Sequence, residues 1–231
     1  MGYSIRSSIL DFRDYGVPHH RERLITIGCR IPSLTGKHSP LEEIYSKSPS
    51  EFHPAPTHGG SNRTSWISLR EAIGHLSSLD ARSRLFDPQD PYHCIPSWNQ
   101  RQHDWMKATP EGQTAFDNVE CPDCGKRAVN PVDVTCSCGS SLPRPQIGQG
   151  ADARLVRGFR SSYRRMRWDR PGSTLTMNSG VISSDLKGHP DQHRVLSLRE
   201  IMILSTLDRS DWPKTYSFEG IKYGRMREGD I

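Results

Sequence analysis

Four cysteines have a spacing that is typical of metal ligands. Cys121 and Cys124 form a Cys-Pro-Asp-Cys pair, and eleven residues later Cys136 and Cys138 form a Cys-Ser-Cys pair. Four thiolates on tight turns suit one tetrahedral zinc ion, and such a site leaves no coordination position open for catalysis. We therefore expect a structural zinc that folds the segment from about 120 to 140. The alternatives are unpaired thiols, or disulfides in an exported protein.

A run of arginines interleaved with aromatic residues lies between positions 150 and 170. Arginines of this kind contact phosphates and base edges, and each phosphate contact makes binding depend on salt. The alternative is a solvated basic face in which some of the arginines form ion pairs. The predicted DNA contacts are Arg154, Arg157, Arg160, Arg164, Arg165 and Arg167.

Another pair of arginines, Arg21 and Arg23, comes just before the apolar, β-branched residues 24–27. Those residues predict a buried strand, and two positions of spacing would place both arginines on one side of it. A guanidinium there can hydrogen-bond a carbonyl oxygen or a phosphate. The alternative is a structural role, in which the arginines cap carbonyls of the sheet.

The elements that must position these residues are short. Residues 4–10 and 24–29 predict two strands, joined by a Gly- and Pro-containing loop, and residues 173–176 predict a third. Ser68 with Glu71, and Ser197 with Glu200, each form a capping box that begins a helix; the second helix is expected over 198–207. Residues 101–107 predict another short helix.

Composition limits the classes of protein that are possible. The 231 residues include 31 Lys+Arg and 26 Asp+Glu, which gives a formal charge of +5. No run of 18 apolar residues is present, and the charged first thirty residues lack the apolar core of a secretory signal. We expect no membrane contact and a cytoplasmic, not secreted, protein. Only 33% of residues are hydrophobic, so part of the core would come from a metal or a partner.

Three segments, in order, resemble motifs of the cytosine-C5 DNA methyltransferases. Residues 14–28, with Arg21 and Arg23, resemble the Gln-x-Arg-x-Arg motif, and residues 163–176 resemble the stretch that follows the variable region. Residues 188–190, 194–197 and the Arg199-Glu200 pair are similar to the ninth motif, whose helix supports the target recognition domain. The resemblance covers about 1–30 and 160–215, and the middle is the part that this family varies.

The resemblance implies an α+β fold. Residues 1–32 would form the last strands of a Rossmann-like sheet with the Arg-x-Arg loop. Residues 33–195 would form an irregular, mostly β target recognition domain with the zinc-binding insert, and residues 196–231 the Arg-Glu helix and a tail. The partner would be double-stranded DNA. By resemblance, Arg23 would hydrogen-bond O2 of a flipped cytosine, and Arg21 would position the backbone or the catalytic loop.

The chain also departs from the family pattern. His19 stands where the family usually has Gln, and Ser205 replaces a Gln of the ninth motif. The sequence contains no Phe-x-Gly-x-Gly loop for S-adenosylmethionine, no Pro-Cys nucleophile and no Glu-Asn-Val. We therefore expect the carboxyl-side portion of a DNA (cytosine-5)-methyltransferase, inactive without a complementing half that carries the nucleophile and binds S-adenosylmethionine. The alternatives are a non-catalytic zinc-containing DNA-binding or regulatory module and, less favoured, a zinc-ribbon scaffold for protein contacts.

Overall fold

The computed structural model describes residues 4–30, 45–46, 49, 52–148 and 150–207. Within them the fold is α+β, as predicted, with short sheets and short helices joined by long irregular segments. The predicted tail beyond residue 207, and most of the excursion between 31 and 51, lie outside the described residues. No helix among those described is long and apolar enough to cross a membrane.

The amino-terminal sheet has three strands in the order β2-β1-β3. Strands β1 (Ser4–Asp11) and β2 (Glu22–Cys29) pair antiparallel along their whole length, and β3 (Tyr45–Ser46) pairs parallel to β1. A 3-10 helix, Phe12–Tyr15, begins the connection from β1 to β2, and Gly16 ends it with a left-handed φ of 83°. The two predicted strands are confirmed.

The expectation that β2 is buried is wrong. No residue of β2 is fully buried, and the Leu24 side chain is 55% exposed. The paired strand β1 does bury alternate positions, Arg6, Ser8 and Leu10. Within the part of the chain that the structure describes, the sheet therefore has one covered face and one face with exposed apolar side chains, including Ile5 at 45% exposure.

Both predicted capping boxes are present. The two helices are α1 (Leu69–Ile73) and a later helix, Leu198–Leu204. In each, the side chain of the serine before the helix accepts a hydrogen bond from the backbone amide of the glutamate three residues later, and the carboxylate of that glutamate accepts one from the backbone amide of the serine. The second helix is three residues shorter than the predicted 198–207. The two helices contribute to one apolar cluster, which also contains Met166 and Trp168.

The variable middle is irregular but not mostly β. Its ribbons are β4 (Phe86–Asp87) with β5 (Asp90–Cys94), and β6 (Gln146–Ile147) with β7 (Arg154–Leu155). Helix α2 (Gln100–Lys107) confirms the predicted short helix, and its Trp105 enters the larger core cluster. The carboxyl-side helix, Leu198–Leu204, is thus α3.

The strand predicted at residues 173–176 does not form. Its polar groups have partners other than a neighbouring strand: the Lys187 ammonium donates to the Thr174 carbonyl at 2.7 Å, and the Ser173 hydroxyl donates to the Leu186 carbonyl at 2.7 Å. A β-branched sequence without a strand partner has no ladder to join.

A buried ion pair holds the start of α3. Both terminal nitrogens of Arg194 donate to the two carboxylate oxygens of Glu200, at 2.6 and 2.7 Å, and both side chains are 1% exposed. Arg199 of the same helix donates to Asp90 of β5 at 2.6 and 2.9 Å. The Arg-Glu helix is therefore tied to the middle region by charge-assisted hydrogen bonds.

Candidate DNA interface and cysteine site

Two segments that are distant in the sequence lie side by side at the end of the amino-terminal sheet. The His20 amide donates to the Gly172 carbonyl at 2.8 Å, and the Gly172 amide donates to the Pro18 carbonyl at 2.9 Å. The Thr174 hydroxyl also donates to the His20 carbonyl at 2.8 Å. These bonds join the loop before Arg21 and Arg23 to the end of the arginine run.

The predicted arginine pair lies at the beginning of β2. Arg23 is exposed, and its Nη1 donates to the Glu22 carbonyl at 2.7 Å. Arg21 is half-buried, and its carbonyl accepts from the Phe12 amide at 3.0 Å. Because β2 begins at Glu22, Arg23 belongs to the strand and only Arg21 precedes it. The Arg23 side chain is open to solvent.

His19 connects this loop to the Arg-Glu helix. Its Nδ1 lies 2.7 Å from the Leu204 carbonyl, and burial lowers the pKa of the imidazole below its usual value. A carbonyl accepts a hydrogen bond, so Nδ1 carries the proton and Nε2 has a free lone pair. Among the described residues this buried Nε2 has no hydrogen-bond partner.

A cleft of about 670 Å³ runs along the junction. Segments from both sides line it, and the lining is rich in arginine. Its charged and aromatic lining residues are Arg13, His20, Trp66, Arg164, Arg165, Arg167, Asp169, Arg170 and Asp185. We call this space the basic cleft. An arginine-lined cleft is typical of proteins that bind nucleic acid.

Five of the six predicted DNA-contacting arginines are exposed: Arg154, Arg157, Arg160, Arg164 and Arg167. Two of them form ion pairs, as the alternative interpretation allowed. Arg160 pairs with Asp117, and Arg167 donates to both carboxylate oxygens of Asp169 at 2.8 and 2.7 Å. Arg164 donates through Nε to the Gly112 carbonyl at 3.0 Å.

The sixth, Arg165, is a core residue, and the prediction that it contacts DNA is contradicted. It is 2% exposed, and its guanidinium donates to four main-chain carbonyls and lies 2.8 Å from the His193 ring. Burial lowers its pKa to about 10. All of its hydrogen-bonding capacity is used inside the protein, so no donor remains for a phosphate or a base. The four carbonyls belong to Met106, Thr109, His189 and Gln192.

The four sulfurs of the cysteine module, residues 119–142, converge as the spacing predicts. All four Sγ atoms lie within 4.8 Å of one another, with 3.7 Å between Cys121 and Cys138 and 3.5 Å between Cys124 and Cys136. Sulfur ligands at the usual Zn–S length lie about 3.8 Å apart in a tetrahedron. A disulfide would need about 2 Å, and all four cysteines are free thiols.

Turns hold these sulfurs in place. The Cys136 amide donates to the Ser140 carbonyl, and the Gly139 amide donates to the Cys136 carbonyl, at 2.8 and 2.9 Å. The Ser140 hydroxyl lies 3.4 Å from the Cys138 sulfur. A thiolate is the form that binds a metal ion. The chemistry and geometry of the donor set therefore fit one zinc ion.

Two residues of the basic cleft were not identifiable from sequence patterns. Arg13 and Trp66 line it, yet neither belongs to the arginine run or to the segment that resembles a family motif around Arg21. The Trp66 indole bonds to Asp14 across 52 positions of the chain. Only chain folding brings residues with that separation together, so spacing rules had nothing to detect.

Comparisons with known proteins identify the family of this chain. The sequence model of the C-5 cytosine-specific DNA methylase family matches residues 1–227, and the chain belongs to that family. The chain is 29% identical over 216 residues to Type II methyltransferase M1.HgaI of Avibacterium volantium, which covers 89% of this chain and 46% of that protein. It is 24% identical over 210 residues to Type II methylase M.HgiDII of Herpetosiphon aurantiacus, and this match covers 91% of this chain and 46% of that protein.

A shorter match links the chain to a third bacterial relative. It is 34% identical over 71 residues to Type II methyltransferase M.AgeI of Thalassovita gelatinovora, which is 31% of this chain and 15% of that protein. The chain thus spans about half the length of the two curated relatives that it matches most extensively.

Proposed function

We propose that this chain is the DNA-recognition and base-holding portion of a DNA (cytosine-5)-methyltransferase that acts on duplex DNA. The observation that carries the proposal is the hydrogen-bonded junction between His20 and Gly172, which puts the Arg-x-Arg loop beside an arginine-lined cleft. Membership of the family and its Type II methyltransferase relatives support it.

In this proposal each segment has a part. Residues 1–32 end the catalytic sheet, residues 33–195 recognise the target sequence, and residues 196–231 include the Arg-Glu helix that supports the recognition region. Arg23 holds the displaced cytosine by its O2, and Arg21 positions the adjoining backbone. A base must leave the stack before its C5 and C6 atoms become accessible. Arg154, Arg157, Arg160, Arg164 and Arg167 contact the surrounding DNA.

S-adenosylmethionine, the methyl donor that the family implies, is assigned to no residue of this chain. The sequence contains no Phe-x-Gly-x-Gly loop to hold it, and it has no Pro-Cys pair to supply the attacking thiolate. We propose that a complementing methyltransferase half supplies both. The amino-terminal sheet supports this, because among the described residues Ile5 and Leu24 on one of its faces are about half exposed.

We also propose that Cys121, Cys124, Cys136 and Cys138 hold one structural zinc ion. Four sulfur ligands complete its tetrahedron, so the ion would stabilise the cysteine module and take no part in methyl transfer. The sulfur separations of 3.5 and 3.7 Å support the proposal.

Supplying the amino-terminal half in trans, with labelled S-adenosylmethionine and duplex DNA, tests the catalytic proposal. We expect methyl transfer from the mixture and none from the chain alone. Arg23→Ala should slow transfer far more than it weakens DNA binding, since it removes one bond to the displaced base. DNA binding without transfer by any mixture would favour the non-catalytic module, and robust transfer by the chain alone would contradict the need for a second half.

The uncovered sheet face can be tested in the same assay. Leu24→Asp should abolish complementation because it puts a charge into the proposed contact, while the stability of the chain alone should change by less than about 0.5 kcal/mol. Phe86→Ala, at another exposed apolar position, is the matched control. Equal complementation by both variants would contradict docking on this face.

A further inference from the structure

Trp66 is an exposed aromatic ring in the wall of the basic cleft. It is 39% exposed, whereas Trp98, Trp105 and Trp168 are each 7% exposed. The Arg13 guanidinium carbon lies 4.2 Å from the Trp66 ring centroid, and both side chains line the cleft. An aromatic ring beside basic groups is the arrangement on which proteins stack unpaired bases.

This wall is held rigidly. Asp11 accepts from the Arg13 guanidinium through Nε at 2.9 Å and also through Nη2. The Trp66 indole nitrogen donates to Asp14 Oδ1 at 2.8 Å, which fixes the other partner of the pair. Preformed contacts reduce the entropy lost when a ligand binds. The ring is therefore already oriented before any nucleotide arrives.

Gly59 sets the position of the indole. A Cβ at this residue would lie 2.5 Å from Trp66 Nε1 and 3.0 Å from Asp14 Oδ1, so a side chain there would displace the ring. The next residue, Gly60, has a similar φ of +76° against +73°, but a Cβ there would meet nothing within 4 Å. The two glycines thus have a similar backbone requirement, and a side chain would contact Trp66 and Asp14 only at Gly59.

Other lining residues of the cleft supply the charge that a nucleotide needs. Arg164 and Arg170 are exposed there, while Arg167 is already paired with Asp169. The volume of about 670 Å³ is in the range of sites that hold small ligands, so the cleft suits one nucleotide better than a stacked duplex.

We propose that Trp66, backed by Arg13, stacks on an unpaired base of the bound DNA, distinct from the cytosine assigned to Arg23, while Arg164 and Arg170 hold the neighbouring phosphates. This inference rests on the proposed function, since it assumes that DNA is the ligand. Trp66 lies outside the arginine run and outside the segments that resemble family motifs. The inference gives this side chain the task of recognising an unstacked base.

The test compares two DNA probes on the full chain. One is a fully paired duplex, and the other is the same duplex with one extra unpaired nucleotide. We expect the chain to bind the second probe more tightly and to lose tryptophan fluorescence as it binds. Trp66→Ala should reduce that preference by about five- to hundred-fold, which corresponds to about 1–3 kcal/mol for one stacked base. Trp66→Phe should retain most of the preference because it keeps a ring.

Matched variants separate stacking from folding. Gly59→Ala should weaken the preference and Gly60→Ala should not, although both place a side chain at a positive φ. Phe86→Ala, which removes another exposed aromatic ring outside the cleft, should keep it. An unchanged preference and unchanged quenching in Trp66→Ala would overturn the inference while leaving DNA binding intact. Failure of the parent chain to bind either probe would instead contradict the proposed function together with this inference.

Discussion

The cysteine module and the core around Arg165 are held together by different kinds of contact. The module buries only Cys121, Cys136 and Leu142 as its apolar cluster, and its turns are closed by hydrogen bonds between residues a few positions apart. Arg165 instead bonds to carbonyls that are 24 to 59 positions away. A cluster of three residues offers little burial to offset the entropy of ordering its turns, and this is why we propose a zinc ion there, whereas the core is held by contacts with distant parts of the chain.

Removing one cysteine should break the module and spare the core, and this is the largest effect we expect. Cys136→Ser deletes one of four ligands of a site whose zinc supplies folding free energy on the order of 10 kcal/mol in small metal-folded peptides. Zinc content of the purified chain and the reactivity of the remaining thiols measure the outcome. Cys94→Ser, a half-buried cysteine outside the module, is the control. Equal zinc in Cys136→Ser and the parent would refute the metal site.

Replacing Arg165 should break the core and spare the module. Arg165→Met fills similar space but leaves four buried carbonyls without their donor, so we expect the unfolding free energy to fall by about 3–5 kcal/mol. Urea unfolding followed by tryptophan fluorescence gives this value, and zinc content should stay at the parent level. A loss below about 1 kcal/mol would show that the carbonyls find other partners.

The adjacent Arg164 should behave in the opposite way. It is exposed, so Arg164→Ala should change the unfolding free energy by less than about 0.5 kcal/mol. It should reduce the slope of log affinity for DNA against log salt by about 1, because one phosphate contact is lost. Fluorescence anisotropy over a range of salt concentrations measures the slope. An unchanged slope would remove Arg164 from the DNA interface.

Acid should weaken the core through Asp80. Burial by itself would raise the pKa of this carboxyl, but hydrogen bonds from His103 and from the amides of Arg82 and Ser83 outweigh it and lower the pKa to about 2. A lowered pKa in the folded state stabilises the protein above the unfolded value of 3.8, and this stability is lost as pH falls towards 2.

The matched variant for that effect is Asp80→Asn. Asparagine does not take up a proton in this range. The part of the acid-induced loss of stability between about pH 4 and pH 2 that belongs to Asp80 should therefore disappear. Unfolding midpoints in urea over this pH range give the comparison. Identical pH profiles for the variant and the parent would show that other carboxylates are responsible.

Features that depend on neighbours in the chain were predictable. The Ser68–Glu71 and Ser197–Glu200 capping boxes need only a serine and a glutamate three residues later, and both are present. The convergence of the four cysteine sulfurs follows from tight turns, and the two strands of the amino-terminal hairpin follow from their β-branched residues. The family was also recognisable from short motifs in the right order.

Features that depend on which side of a segment is covered were not predictable. Leu24 is apolar and lies in a real strand, yet it is exposed, because burial depends on a covering layer and not on the strand itself. Residues 173–176 have strand-forming side chains but no strand partner, and their polar groups bond to Lys187 and Leu186 instead.

The sequence by itself determined the convergence of the four cysteines, the beginnings of the capped helices and the family, since each depends on residue types at fixed, short separations. Tertiary structure alone decided that Arg164 is exposed while Arg165 is buried, and that Arg13 and Trp66 share a cleft. Two adjacent arginines are chemically identical, so only the surrounding carbonyls and the path of the chain can give one of them to the core and the other to the surface.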